Sequence, residues 1–420
     1  MHQKYCEMKY LLTMICLLAA FSSCGSDHDD EPDITPKGRT VLMYVSAENT
    51  LNDFFDTNLA MMVKGARSLS KDDHLIAFVD RASTTEMPYI AEITDGTITK
   101  VKEFATDITA SDPREMRDII KWTAANYPAQ DYGLVLWGHA SGWLIEDSVT
   151  TRSGGPKRAF GIDNGTNSPG SDRGKWMNTP SMAKYITETG IKFKFIFADI
   201  CCFQCVENAY ELRNATEWLI GSPAEIPAYG APYDAVVPHF FSRSTDFYKG
   251  IIDEYEKAYA NQQYGGTTYS VPLSAVRTAE MEPLAQAARQ MWTAMPQPWP
   301  SADDVIYYFG RYTPAGAGYD RNPIFYDALD IVKANTPETV ADEWQRALSN
   351  AVAYSSFNTS REWMSAGHVN FNAFTLDSRR MAVISMFVPL ECYESGGAQY
   401  NKMISHMAWH TASGLASVYK

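Results

Sequence analysis

The stretch Lys194-Phe195-Ile196-Phe197-Ala198-Asp199-Ile200-Cys201-Cys202-Phe203-Gln204-Cys205-Val206-Glu207-Asn208-Ala209-Tyr210-Glu211-Leu212 changes character half-way along. It opens with an apolar run of strand length. It closes with a segment in which Val206, Ala209 and Tyr210 fall at helical spacing, with Leu212 close to it. An acid and a thiol sit at the junction. In a parallel α/β sheet the carboxyl end of a strand is where ligands bind and chemistry happens. A second stretch, Tyr132-Gly133-Leu134-Val135-Leu136-Trp137-Gly138-His139-Ala140-Ser141-Gly142-Trp143, follows the same logic and ends on a histidine. Two strands that bring a histidine and a cysteine to one edge of one sheet make thiol proteolysis the first functional hypothesis.

Outward from these two stretches the pattern repeats. Residues 40–45 and 74–79 read as buried strands, and residues 89–104 as a hairpin turning at Asp95-Gly96. Asn49 or Thr50 is placed to cap a helix that runs to about Ser68. Ser111-Asp112-Pro113 starts a helix with a capping acid followed by proline at the first helical position. Thr179-Pro180 starts another in the same way, and residues 217–222 form a further short strand. Alternating strands and helices predict an α/β fold, a mostly parallel sheet flanked by helices with right-handed crossovers. This places a catalytic domain at 38–240. Residues 241–420 read as a helix-rich α+β region packed on it, with helices over 245–259, 278–295 and 323–333 and strands over 271–276 and 381–388. Residues 146–176, rich in Gly, Ser, Asn and Arg, read as one long loop, and loops of that length are functional or disordered.

The 420-residue chain is 45% hydrophobic and carries a net charge of −14, which argues against nucleic acid as a partner. Its first 23 residues read as a signal: Lys4 and Lys9 precede an apolar segment, Leu11 to Phe21, too short to span a bilayer. Phe21-Ser22-Ser23-Cys24-Gly25 resembles a bacterial lipobox, which implies lipidation of Cys24. Lipid chains would then anchor the protein to a membrane of the cell envelope, periplasmic or surface-exposed, at about 0.8 kcal/mol per buried methylene. Residues 24–37 are acidic and lack apolar side chains over Ser26–Asp33, the composition of a disordered tether. This segment is similar to the acidic export tags of surface lipoproteins in Bacteroides-type bacteria.

Seven cysteines are present. Cys6 and Cys16 leave with the signal, and Cys24 takes lipid. Of Cys201, Cys202, Cys205 and Cys392, three crowd one turn, a poor disulfide framework. No second ligand pair accompanies them at metal spacing, so no metal site is expected. A cysteine attacks as its thiolate, which is only a few per cent of a free thiol with pKa about 8.5 at neutral pH. A neighbouring histidine raises that fraction and protonates the leaving amine. The oxyanion needs backbone N–H donors, which a strand-to-helix turn supplies. Chemistry alone leaves open which of the three clustered cysteines acts; in continuing strand geometry Cys202 points to the face opposite Cys201.

The sequence resembles the clostripain family of cysteine peptidases, relatives of caspases, legumains and gingipains. The resemblance rests on Gly138-His139, on Asp199-x-Cys201 followed by Glu207, Tyr210, Glu211 and Leu212, and on the Ser222-x-x-Glu225-x-Pro227-x-Tyr229-Gly230 stretch. It covers residues 38–235 well. The chain departs from the family pattern at Ala140, where relatives carry glycine, and at Ile200, Cys202, Phe203 and Gln204. The resemblance implies a caspase-like fold, Cys201 as nucleophile, His139 as its base, and the N–H groups of Ala140 and Cys201 as oxyanion donors. It implies that Asp199 lies in the pocket for the residue before the scissile bond, so that cleavage follows Arg or Lys. Glu225 is a candidate second acid there; a helix-capping role is the simpler alternative for Asp199. Polypeptides with Arg or Lys would be the substrates, and no cofactor is implied. Calcium dependence is left open: Asp163-Asn164-Gly165-Thr166-Asn167 offers oxygen ligands without matching an EF-hand. Relatives mature by self-cleavage between the His and Cys strands, and Lys157-Arg158 is the best match to that site. The alternative function is a catalytically silent lipoprotein that binds basic peptides in the same pocket.

Overall fold

Alternate residues of the central strands feed two separate cores. Leu42, Tyr44, Ile76, Phe78, Leu134, Leu136, Ile196 and Ala198 belong to one. Val41, Met43, Val45, Leu75, Ala77, Val79, Val135, Phe195 and Phe197 belong to the other. A strand covered on both faces reads as an unbroken apolar run, because side chains alternate and both directions are dry. The computed structural model describes residues 36–419 apart from 84, 146–159, 166–173, 261, 265–266, 311–322, 366–368, 370 and 394–399. The signal segment 1–23, Cys24, all of the tether but Pro36 and Lys37, and Lys157 and Arg158 therefore lie outside the described residues.

In chain order the strands are β1 (Arg39–Ala47), β2 (His74–Arg81), β3 (Tyr89–Thr94), β4 (Thr97–Glu103), β5 (Asp131–Trp137), β6 (Phe160–Asp163), β7 (Lys175–Met177), β8 (Phe195–Asp199) and β9 (Trp218–Gly221). They continue with β10 (Gln263–Tyr264), β11 (Thr267–Thr268), β12 (Leu273–Arg277), β13 (Tyr307–Phe309), β14 (Phe325–Asp327), β15 (Val352–Ser356) and β16 (Ser385–Met386). Nine of them form one sheet, in the order β15-β12-β9-β8-β5-β1-β2-β3-β4. From β9 to β2 every pairing is parallel. An antiparallel pair closes each edge, β3-β4 on one side and β12-β15 on the other. The fold is thus the α/β, caspase-like arrangement expected, with β12 and β15 from beyond residue 240 extending the same sheet. Lys37–Lys420 form one compact unit.

Helices cover both faces. Pro113–Asn126 begins as the sequence predicts: Asp112 accepts the Arg114 N–H at 2.9 Å, and Pro113 takes the first position. This helix packs Met116, Ile119 and Ile120 into the first core, beside Thr179–Thr187 and Met281–Ala294. Phe55–Gly65, Tyr233–Phe240 and Phe247–Ala260 cover the second. No helix among the described residues is long and apolar enough to cross a membrane.

Three local expectations need correction. The interval 146–176 contains an antiparallel pair, β6 with β7, rather than loop alone. Residues 325–327 are a strand and the helix starts only at Asp330, because Asp327 stays in the sheet and accepts the N–H groups of Leu329 and Asp330. The apolar run 381–388 pairs only through Ser385–Met386. Both misread runs are apolar because they are buried, and burial alone does not distinguish helix, strand and packed loop.

Candidate active site

Register decides which side chains meet. β5 and β8 are parallel neighbours with Trp137 opposite Asp199. His139 and Cys201 each follow two residues later, so they leave the same sheet edge at the same level, on strands about 4.8 Å apart. Both line one cavity of about 460 Å³, together with Ala140, Asp199, Glu225 and Gly230. Tyr269, Phe309 and Met364, from beyond residue 240, line the same cavity.

The three clustered thiols have different surroundings. Cys201 is partly exposed, whereas Cys202 and Cys205 are buried. Burial pushes both buried thiols well above their ordinary pKa, further from the reactive thiolate. The strand ends at Asp199, and Cys202 takes a left-handed conformation at φ 56°. Its N–H donates to the Ala224 carbonyl at 2.8 Å, and its side chain enters the first core. A β-carbon in that region is strained, and such strain is found where a sharp turn must present a neighbour. The neighbour here is Cys201. Its sulfur accepts the Ile226 N–H at 3.4 Å and lies 3.8 Å from the Ile226 carbonyl oxygen, to which the thiol can donate.

The histidine is oriented by β1. His139 Nε2 lies 2.7 Å from Thr50 Oγ1, three residues past the end of that strand. Gly138 allows the approach: a β-carbon there would sit 2.9 Å from the Ser46 carbonyl oxygen. Ala140 bridges to Phe160 and is not among the residues with positive φ. Its replacement of the family's glycine therefore asks for no conformation that alanine resists.

Asp199 is 5% exposed and forms the floor of the cavity. One carboxylate oxygen accepts the Ala231 N–H at 2.9 Å and the Tyr233 hydroxyl at 2.6 Å; the other accepts the Tyr255 hydroxyl at 3.0 Å. Burial pushes this carboxyl above its usual range, and the three donors pull it back. Three donors leave one of the roughly four acceptor positions of a carboxylate. The chain crosses over Asp199 at Gly230, whose φ is 63° and where a β-carbon would lie 2.6 Å from the carboxylate. Behind the floor, Trp137 Nε1 donates to Asn58, which in turn donates to the Tyr229 carbonyl. Asp199 caps no helix: the next one begins at Val206.

Sequence reasoning did not single out Thr50 as a partner of His139, nor Tyr233, Tyr255 and Asn58. Each is brought in from another element, and no motif links it to the histidine or the cysteine. Glu225 lines the cavity. The thiol and imidazole chemistry of these side chains needs no cofactor.

The sequence pattern of the clostripain family (peptidase family C11) matches residues 43–377. No curated protein sequence matches significantly. The fold is similar to that of a secreted C11 cysteine protease from Bacteroides thetaiotaomicron solved with an irreversible peptide inhibitor: 22% identity, 90% of this chain and 99% of that one covered, TM-score 0.71. It is also similar to an inactive zymogen C11 protease from Parabacteroides distasonis: 23% identity, 92% and 99% covered, TM-score 0.69. With a match that spans most of its sheet and both strand ends of its cavity, this chain belongs to the clostripain family of cysteine peptidases.

Proposed function

We propose that the chain is an endopeptidase that cleaves after Arg or Lys, with Cys201 as nucleophile and His139 as general base and acid. The observation that carries this reading is the shared register of His139 and Cys201 at one cavity, with the competing thiols of Cys202 and Cys205 buried. Thr50 holds Nε2, and we assign Nδ1 to the thiol. The Cys201 proton moves to His139, and the thiolate attacks the scissile carbonyl carbon. The N–H groups of Ala140 and Cys201 receive the oxyanion. As the C–N bond breaks, His139 gives its proton to the leaving amine and a thioester remains. Water then attacks the thioester, losing a proton to His139, and the thiol returns as the acid product leaves. Asp199, with Glu225 beside the cavity, supplies the negative charge that a basic side chain seeks.

Two further parts of the reading rest on sequence. Self-cleavage after Lys157 or Arg158 would release the cavity, and lipidation at Cys24 would anchor the mature protein in the cell envelope. The test is a fluorogenic Arg or Lys peptide assay with Cys201→Ala beside wild type, and a denaturing gel of both. Wild type is expected to turn over substrate and run as two fragments, and the variant to do neither. Equal turnover by the variant would refute the nucleophile. Cutting of the pure variant at the wild-type rate would refute self-activation. Metabolic labelling with palmitate, lost in Cys24→Ser, tests the anchor.

A further inference from the structure

In the large sheet β8, which leads to Cys201, lies between two kinds of neighbour. β5, which leads to His139, is on one side, and β9, β12 and β15 follow on the other. β12 begins where β9 ends, with Ser274 opposite Gly221, and β15 ends there too, with Ser356 opposite Leu273. The segments before β12 and after β15 therefore emerge at the same sheet edge as Cys201. They are joined there. Ser270 bridges to Trp363 in parallel, the Ser270 N–H donates to the Glu362 carbonyl at 2.9 Å, and the Asn358 N–H donates to Ser270 Oγ at 2.8 Å. Ser270 and Trp363 are both buried. Side chains alternate along extended chain, so Tyr269 and Met364 turn to the face opposite Ser270 and Trp363. Both line the active-site cavity. Ser365 lines it next to them, its Oγ buried and without a hydrogen-bond partner among the described residues.

We infer, on the basis of the protease reading, that Tyr269 and Met364 form a second subsite, which takes a large apolar side chain on the residue just before the substrate's Arg or Lys. Direction follows from the chemistry of the proposed step. His139 gives its proton to the leaving amine, so the leaving half of the substrate departs on the β5 side. The acyl half, bound to Cys201, continues on the opposite side, past β9 toward β12 and β15. Asp199 takes the basic side chain, and the residue ahead of it meets Tyr269 and Met364. The cavity, at about 460 Å³, is of the size that holds a drug-sized ligand, and one basic side chain does not fill it. A phenol ring and a thioether offer apolar surface without charge, and methionine adapts its shape to what it meets. Ser365 Oγ gains its missing partner from the substrate backbone.

The test is kcat/KM of the active protein on internally quenched peptides cleaved after Arg. The residue before Arg is leucine, phenylalanine or glycine, and the residue after Arg is varied separately over the same three. Leucine or phenylalanine before Arg should exceed glycine by about tenfold or more, from burial of one large apolar side chain, and the residue after Arg should matter less. Tyr269→Ala and Met364→Ala should each lower the leucine-to-glycine ratio before Arg by about threefold or more. That ratio does not depend on how much of a variant folds. Equal rates for all three residues before Arg in wild type, or a ratio unmoved in both variants, overturns the subsite and leaves the protease reading intact. Stronger selection after Arg than before it also overturns the subsite. No turnover of any Arg peptide refutes the protease reading, and the subsite falls with it.

Discussion

Replacing Asp199 by asparagine separates the charge of the cavity floor from its shape. Asparagine can keep its oxygen toward the Ala231 N–H and the Tyr233 hydroxyl, the side where two donors converge. Its amide nitrogen then faces the Tyr255 hydroxyl, which can rotate to accept. The geometry survives and the negative charge is lost. One acceptor position remains on Asp199, so a substrate side chain gains a single charge-assisted hydrogen bond, worth about 1.5–3 kcal/mol. That converts to a fall in kcat/KM on Arg or Lys substrates of roughly 12- to 160-fold, at about 1.36 kcal/mol per decade. Peptides with a neutral residue before the scissile bond should change little. Stability should move the other way. The folded state raises the Asp199 pKa, so it binds the proton more tightly than the unfolded chain does. Asp199 therefore costs stability once pH rises past its unfolded value, and the cost is complete above the folded one. Asparagine removes that cost, and Tm at pH 7 should hold or rise. The assay is kcat/KM on matched Arg, Lys and Leu peptides, with a melting curve for each protein. Equal losses on all three peptides, or a fall in Tm, would refute the reasoning and make Asp199 a structural group.

Other perturbations separate the remaining parts. Thr50→Val should lower kcat by about 2- to 12-fold, the worth of one neutral hydrogen bond, with KM held and Thr50→Ser restoring the rate; an unchanged kcat would mean that Thr50 does not position His139. Gly230→Ala should cost about 1–2 kcal/mol in strain and push a methyl group onto Asp199, so turnover of basic substrates should fall more than turnover of neutral ones, and equal falls would count against a specificity role. One equivalent of iodoacetamide on the native protein should alkylate Cys201 and spare Cys202 and Cys205, as read by peptide mass mapping; labelling of Cys202 in folded protein would move the nucleophile.

Local sequence was enough to read the sheet and to single out the residues at its edge. Apolar runs ending in Gly138-His139 and Asp199-x-Cys201 are legible because a buried parallel strand must be apolar on both faces, and polar residues are confined to its ends. Period and capping likewise fixed the helix Pro113–Asn126 and the hairpin at Asp95-Gly96. The partners that arrive from distant elements could be read only from the fold. Strand register put Trp137 opposite Asp199 and so brought His139 level with Cys201. The turn after Asp199 buried Cys202 and left Cys201 at the cavity, which side-chain alternation suggested but could not place. Thr50, Tyr233 and Tyr255 reach the site across separations of 89, 34 and 56 residues. A local pattern records what each segment must bury, and contacts between strand ends are set by how the whole sheet is ordered.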